Sequence, residues 1–215
     1  LEQAFAYLKS YYPNFKAPKV YTYVSGFGID LLVEENILVI GLDYFLPDLD
    51  ANHQAFFFDK QLDLAEEFNL PVILHVRRSQ DAILKALRPR KIIGGIAHAF
   101  NGSFQQAEQF IKLNFVMGFG GAMTFPRALQ IRRLAKELPF DSLVLETDAP
   151  DIPPAWLAQQ ASHRNEPAEL LQISGVLAEI RSSSISQTQS ICANNALRLI
   201  PRWATLLAQL PLSKD

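Results

Sequence analysis

Residues 143–150 read LVLETDAP, a short apolar run followed by two carboxylates and a proline. Residues 70–75 (LPVILH) and 95–98 (GIAH) follow the same plan but end in a histidine. A continuous apolar run of this length is typical of a strand covered on both faces, as in parallel α/β sheets. Polar groups at the carboxyl ends of such strands build the active sites of barrel enzymes. Two imidazoles and a carboxylate at that edge indicate a divalent-metal hydrolase.

Helical and strand patterns alternate from about Asn52 onward. Phe58, Leu62 and Ala65 recur at helical spacing before the apolar run that ends at residue 75. Short links between alternating strands and helices favour a parallel sheet with the helices outside. We predict an α/β fold built on such a sheet. Its predicted strands are 37–42, 72–75, 95–98, 115–118 and 143–146, and later helices are predicted at 126–137, 170–180 and 186–199.

The composition limits which classes of protein this chain can belong to. The 215 residues carry 20 basic and 22 acidic side chains, so any phosphate binding must come from a local patch rather than from net charge. The single cysteine, Cys192, excludes an intrachain disulfide and favours a reducing compartment, and we expect the cytoplasm. No apolar run reaches membrane-spanning length, so no membrane partner is expected.

Five short strings resemble a known family, the TatD metal-dependent deoxyribonucleases, over about residues 40–201. The resemblance implies a (β/α)₈ barrel that hydrolyses DNA phosphodiesters, exonucleolytically, with a two-metal centre. It also implies single-stranded DNA or a small phosphodiester as the substrate. For this chain we therefore expect a partial TIM-type (β/α) barrel with an open edge that invites self-association, and one or two divalent ions (Mg, Mn or Zn). The matching strings are 40–44 (IGLDY), 70–75 (LPVILH), 98–102 (HAFNG), 145–150 (LETDAP) and 164–167 (RNEP).

The resemblance assigns the metal ligands. It implies that His75, His98 and Asp148 bind the metal and that Asp148 also helps to deprotonate the attacking water. From spacing alone, a pair of hydrogen-bonded core histidines is an equal alternative for His75 and His98. Glu146 is expected to support the ligands by hydrogen bonding, with a buried structural carboxylate as the alternative reading.

Further groups are expected around the ligands. Arg77, Arg127 and Arg164 are candidates for substrate phosphate because arginine forks match phosphate geometry. Solvated surface charge is the alternative for Arg77 and Arg127. Asn101 and Glu166 are expected to support the ligands. The glycines of residues 118–121 (GFGG) do not have dinucleotide-binding spacing and are interpreted as a strand-end loop that lets substrate approach closely.

The chain also departs from the TatD pattern. That family opens with a His-x-His pair, which occurs nowhere in these 215 residues, and Val39 stands where the family has a metal-bridging Glu. Residues 1–46 instead resemble the gliding-motility lipoprotein GldB, through 12–16 (YPNFK), 20–28 (VYTYVSGFG) and 38–46 (LVIGLDYFL). We therefore expect two segments, 1–45 GldB-like and 46–215 TatD-like, joined as a fusion or an assembly chimera.

Three functions follow from these observations. The first is an impaired TatD-type deoxyribonuclease, because a two-metal clamp without its bridging carboxylate is weakened. The second is a non-catalytic scaffold or chimeric fragment. The third is an amidohydrolase-like hydrolysis of an ester or amide by the same residues.

Overall fold

The structure is a computed structural model, and the residues that it describes are 33–34, 37–40, 50–76, 78–158 and 164–200. Most of the predicted N-terminal segment, 1–45, lies outside these residues, as does Arg77.

One six-stranded sheet runs through the described residues, with its strands in chain order. The first two strands pair antiparallel and every later pair is parallel. Consecutive parallel strands in chain order are the arrangement of a partial (β/α) barrel, so the predicted α/β fold is confirmed. The strands are β1 (Val33–Glu34), β2 (Ile37–Ile40), β3 (Val72–His75), β4 (Gly95–His98), β5 (Phe115–Phe119) and β6 (Leu143–Leu145).

Strand bounds agree closely with the sequence patterns. The bounds of β3 and β4 are those predicted, whereas β5 extends one residue further and β6 ends one residue earlier than expected; the predicted end of β2, at residues 41 and 42, lies outside the described residues. The early end of β6 places Glu146 in the loop beyond the strand. Only its backbone N–H still bonds to the neighbouring strand, donating to the Phe119 carbonyl at 3.3 Å.

Within the described residues, six α-helices connect and follow the strands. Serine or aspartate side chains accept backbone hydrogen bonds at the N-termini of three of them, at Asp50, Ser103 and Ser184. None of the helices in the described residues is long and apolar enough to cross a membrane. The helices are α1 (Ala51–Glu67), α2 (Gln80–Leu87), α3 (Phe104–Lys112), α4 (Leu129–Glu137), α5 (Leu170–Arg181) and α6 (Ile185–Leu199).

The start of α4 corrects the sequence prediction. A helix from residue 126 was expected, but α4 begins at Leu129. A 3₁₀ turn at Gly121–Thr124 precedes it, and the Ala128 N–H bonds to the Phe125 carbonyl, which makes a separate turn around Pro126. The polar and basic face of the predicted helix therefore begins one turn later.

Aromatic packing fixes β4 and β5 against α3. Phe100, Phe110 and Phe115 are buried and make successive edge-on contacts with ring centroids 5.7 and 5.8 Å apart. Burying each ring contributes on the order of 2–3 kcal/mol, and the edge-on geometry adds to that. Since Phe100 lies two residues beyond the end of β4, this packing also fixes the position of His98.

Candidate metal centre

Two histidines face each other at the carboxyl ends of adjacent strands. His75 and His98 are aligned partners in the parallel pairing of β3 and β4. Along both strands buried and half-buried residues alternate, and both histidines lie on the half-buried face. The Nδ1 atom of His75 is 2.7 Å from Nε2 of His98, so one imidazole donates to the other. The alternative of hydrogen-bonded histidines is thus present in the geometry.

Asp148 approaches His98 from the other side. Its Oδ1 atom is 3.4 Å from Nδ1 of His98, so His98 contacts His75 through one ring nitrogen and Asp148 through the other. The structure therefore brings together the three residues for which the sequence predicted metal ligation. Their role as ligands stays a prediction.

Glu146 completes a compact group of possible ligand atoms. One nitrogen of His98 and one oxygen each of Glu146 and Asp148 all lie within 4.8 Å of one another. The sequence predicted only a supporting role for Glu146, but its carboxylate belongs to this group of possible ligand atoms. His75 is not part of the group and contacts the ring of His98 instead. The signal was available: residues 146 and 148 are two apart, a spacing that places side chains on one side of an extended chain.

Glycines of the strand-end loop make room for Glu146. A Cβ atom on Gly118 would lie 1.9 Å from Oε2 of Glu146, and one on Gly120 would lie 2.8 Å from its backbone carbonyl. The interpretation of this loop as an opening for substrate is therefore corrected for Gly118, because the carboxylate occupies that space. The Ala99 N–H also donates to Oε1 of Glu146, at 2.5 Å.

Burial gives Glu146 unusual electrostatics. Desolvation raises the pKa of Glu146 to about 7, against the opposing effect of His98, while nearby Asp148 raises it further and the Ala99 N–H lowers it. Two carboxylates in a partly desolvated site repel each other unless they share a cation or a proton. Carboxylate pairs with one imidazole are ligand sets that suit Zn²⁺, Mn²⁺ or Mg²⁺. The residues therefore fit a divalent cation.

A cleft of about 660 Å³ opens beside the two histidines. Its described lining combines apolar residues with polar ones, and the polar ones include His75, Arg78, Gln80, Asn101 and Gln106. The predicted supporting residue Asn101 is thus at the site, where its carbonyl accepts a bond from Gln80 Nε2 at 3.3 Å. Arg77 lies outside the described residues, but its neighbour Arg78 is in the cleft.

Other predicted residues do not line this cleft in the described structure. Arg127 is exposed, and its guanidinium stacks on the Phe125 ring at 5.6 Å. Arg164 and Glu166 are also exposed. Between them, sequence reasoning missed the buried Asn165, whose amide holds the loop that follows Asp148. A polar residue flanked by charges carries no pattern that would reveal such burial.

Comparisons with known proteins agree with this geometry. The family described as "TatD related DNase" matches residues 28–201. The metal-dependent hydrolase YjjV of Escherichia coli (strain K12) is 40% identical over 164 residues, covering 74% of this chain and 61% of YjjV. Its crystal structure superposes with a TM-score of 0.69, at 38% identity. The 3′-5′ ssDNA/RNA exonuclease TatD of Klebsiella pneumoniae (strain 342) is 37% identical, covering 69% of this chain and 57% of that protein. The chain thus spans about three fifths of the length of these relatives.

Proposed function

This chain belongs to the TatD-related family of metal-dependent hydrolases, and from that premise we propose that it hydrolyses phosphodiester bonds of single-stranded DNA from the 3′ end. The observation that carries the proposal is the group formed by His98, Glu146 and Asp148, whose ligand atoms lie within 4.8 Å of one another near a cleft lined by His75 and Arg78. The name of the Klebsiella relative supports the choice of substrate.

His98, Glu146 and Asp148 would hold the divalent ion. When bound, such an ion polarises a phosphoryl oxygen and lowers the pKa of a water molecule. Asp148 accepts a proton from the attacking water, since its carboxylate already lies at 3.4 Å from a ring nitrogen of His98 that can share the charge. We retain His75 as a further ligand, because its ring contacts that of His98 and lines the cleft.

Arg78 binds the substrate phosphate in this proposal. It is the arginine among the described cleft residues, and a guanidinium can meet two phosphate oxygens at once. Arg77 remains a second candidate from the sequence. Arg127 and Arg164, being exposed outside the described lining, would act only on a longer strand that extends beyond the cleft.

We propose that this activity is weak in the chain as it stands. No His-x-His pair occurs in its sequence, and Val39 replaces the bridging Glu of the family pattern. With fewer residues to hold the ion, its activation of water would be weaker, so we expect turnover at least roughly a hundredfold below that of a complete relative, about 3 kcal/mol in barrier. Grafting a complete family N-terminal segment in place of residues 1–39 should restore most of it, whereas Val39→Glu alone should restore little.

Three further proposals concern the N-terminal segment, the assembly of the chain and its compartment. We propose that residues 1–45 are a GldB-like segment joined to a TatD-like one. We also propose that the chain self-associates through its open sheet edge and that it acts in the cytoplasm. The family resemblance and the single cysteine support the last of these. Size measurement of the purified chain tests the second.

Metal binding tests the proposed centre directly. Titration calorimetry with Mn²⁺ and Zn²⁺ should show binding by the parent chain and an affinity at least about a hundredfold lower for His98→Ala, about 3 kcal/mol. His53→Ala is the matched control, because His53 is an exposed histidine on α1, and its affinity should equal that of the parent. A parent that binds neither metal would support the non-catalytic scaffold instead.

A substrate panel tests the reaction. The parent with added Mn²⁺ should shorten a 5′-labelled single-stranded oligonucleotide from its 3′ end, slowly, and His98→Ala should abolish this. Hydrolysis of small esters or amides without any of the oligonucleotide would favour the amidohydrolase-like alternative. Turnover equal to that of a complete relative would show that the proposed impairment is wrong and that the ligands present suffice.

A further inference from the structure

The loop after β6 contains an isoleucine in a conformation that isoleucine rarely adopts. Ile152 has φ of 47°, in the left-handed region, where a β-branched side chain crowds its own backbone. Its side chain is nevertheless 40% exposed, so burial of apolar surface does not explain why isoleucine stands there. A strained residue that gains little from burial indicates a role in function.

Ile152 lies where two spaces meet. It lines the cleft of about 660 Å³ that also contains His75 and Arg78. It also lines the small cavity that adjoins Glu146 and Asp148. Ile152 therefore borders both the cavity beside Glu146 and Asp148 and the cleft in which substrate would lie.

Neighbouring residues hold this loop from two sides. Asn165 is 1% exposed, and its Nδ2 donates to the carbonyls of Asp151 at 2.8 Å and Ile152 at 3.3 Å. Its backbone N–H donates to the Pro150 carbonyl at 3.1 Å. On the other side, a Cβ atom on Gly121 would lie 2.4 Å from the Ile152 carbonyl, so the two backbones are in direct contact. Such contacts keep Ile152 in place despite its backbone conformation.

We propose that Ile152 is a substrate-binding contact that packs against the base of the nucleotide next to the cleaved phosphate. The inference rests on the proposed function and names the part of the substrate that this side chain recognises. The cleft is also lined by Arg78, whose guanidinium suits phosphate, and by the apolar residues Val76 and Ala99. A base offers an apolar face whatever its identity, so an aliphatic contact gives affinity without sequence preference. Asn165 is a positioning residue that acts through Ile152.

Binding of two matched oligonucleotides tests this contact. The probes are a fluorescein-labelled thymidine octamer with nuclease-resistant phosphorothioate linkages and the same octamer with abasic sugars, measured by anisotropy in Mn²⁺. Ile152→Ala and Ile152→Gly should weaken binding of the thymidine octamer about tenfold, within the range for loss of one base contact. Binding of the abasic octamer should not change. The salt dependence should also stay the same, because no phosphate contact is removed.

Control variants separate recognition from stability. Glycine adopts the left-handed conformation without strain, so Ile152→Gly should unfold at the same or a higher temperature while it binds less. Ile185→Ala, which removes another exposed isoleucine (51%) at the start of α6, should bind as the parent does. Asn165→Asp keeps the shape but loses both donors, and it should weaken binding of the thymidine octamer and leave the abasic octamer unaffected.

The outcomes distinguish this inference from the function on which it rests. Parent protein that binds neither octamer would overturn the proposed nuclease function and the inference together. Parent protein that binds, with Ile152 variants that bind the thymidine octamer equally well, would overturn the inference alone. Equal weakening of both octamers by the Ile152 variants would also overturn it, because the contact would then not be with a base.

Discussion

The two ends of the sheet differ in which residue types adopt a positive φ angle. Where the chain enters β3, β4 and β5, the residues with positive φ are Asn69, Gly94 and Asn114. These are the residue types that tolerate the left-handed region best. Where the chain leaves β3, β4 and β6, the residues with positive φ are Arg78, Ala99 and Ile152, which tolerate it less well.

This difference indicates that the amino end of the sheet stabilises the fold and that the carboxyl end forms the candidate metal centre. At the amino end, residue types match their backbone, and polar side chains find partners: Asn114 donates to the Ile93 carbonyl at 2.6 Å and accepts from Arg198 at 3.1 Å. At the carboxyl end, the same conformation aligns the Ala99 N–H with Glu146 and brings Arg78 and Ile152 into the cleft. In barrels, the amino end is where stability is expected to reside and the carboxyl end is where chemistry is.

The largest effect is expected at Arg181. Its guanidinium donates to the carbonyls of Ala135 at 3.3 Å and Leu138 at 2.8 Å, at the end of α4, and stacks on Phe140 at 4.4 Å. Arg181→Met should lower the free energy of unfolding by about 3 kcal/mol, measured in urea, because charged hydrogen bonds and a cation–π contact are lost together. Metal affinity should not change.

Arg133→Met is the control for that experiment. Arg133 pairs with Glu137 on the surface at 3.1 Å, and exposed pairs of this kind contribute about 0.5 kcal/mol or less. If Arg181→Met weakened metal binding as strongly as it weakened the fold, the separation between the two ends would be wrong.

A smaller loss is expected at Asn195. This buried amide donates to the carbonyls of Phe140 at 2.9 Å and Leu143 at 2.8 Å, which ties α6 to the start of β6. Asn195→Leu should cost about 2 kcal/mol of unfolding free energy, because two acceptors lose their donor. Asn194→Leu is the matched control on the exposed side of the same helix and should change stability little. Equal losses in both variants would contradict this account.

The buried Cys192 thiol on α6 allows a test of the packing of this helix by the pH dependence of stability. Burial raises the pKa of the Cys192 thiol to about 11, although Arg181 lowers it somewhat. The thiol ionises at a lower pH in the unfolded chain than in the folded one. The stability that this difference contributes is fully present below about pH 8.5 and is lost as the pH rises through 11. Between these values the parent should lose about 2 kcal/mol more stability than Cys192→Ala does. Parallel pH profiles for the two proteins would show that the thiol is not desolvated in the fold.

The smallest effect is expected at Gly118, and it should be seen in metal binding. A methyl group there would displace the Glu146 carboxylate, whose Oε2 lies 1.9 Å from the Cβ position. Gly118→Ala should therefore lower Mn²⁺ affinity about tenfold, or about 1.4 kcal/mol, by calorimetry. Stability should change less, because the end of a flexible side chain can move. Gly175→Ala on α5, where a Cβ would make an ordinary contact at 3.8 Å, is the control and should bind Mn²⁺ normally. Unchanged affinity in Gly118→Ala would exclude Glu146 from the centre.

The sequence predicted the strands because their pattern is local. The runs that become β3 and β4 are apolar, buried on alternate residues and ended by histidine, so their bounds could be found without knowledge of any partner. Their alignment follows from the parallel order, which places the carboxyl ends of neighbouring strands at one edge. His75, His98 and Asp148 could be grouped for this reason.

Contacts between distant segments were decided by the tertiary structure. Glu146 belongs among the possible ligands because Gly118, on the neighbouring strand, leaves space for it and the Ala99 N–H holds it. Likewise, Ile152 is held in the left-handed region by Asn165, thirteen residues later in the chain. A pattern along the chain records how often apolar residues recur, whereas the space beside one side chain depends on the backbone of another strand. The sequence therefore determined the sheet and the edge at which the site lies, and only the packed structure decided which carboxylate and which apolar side chain face it.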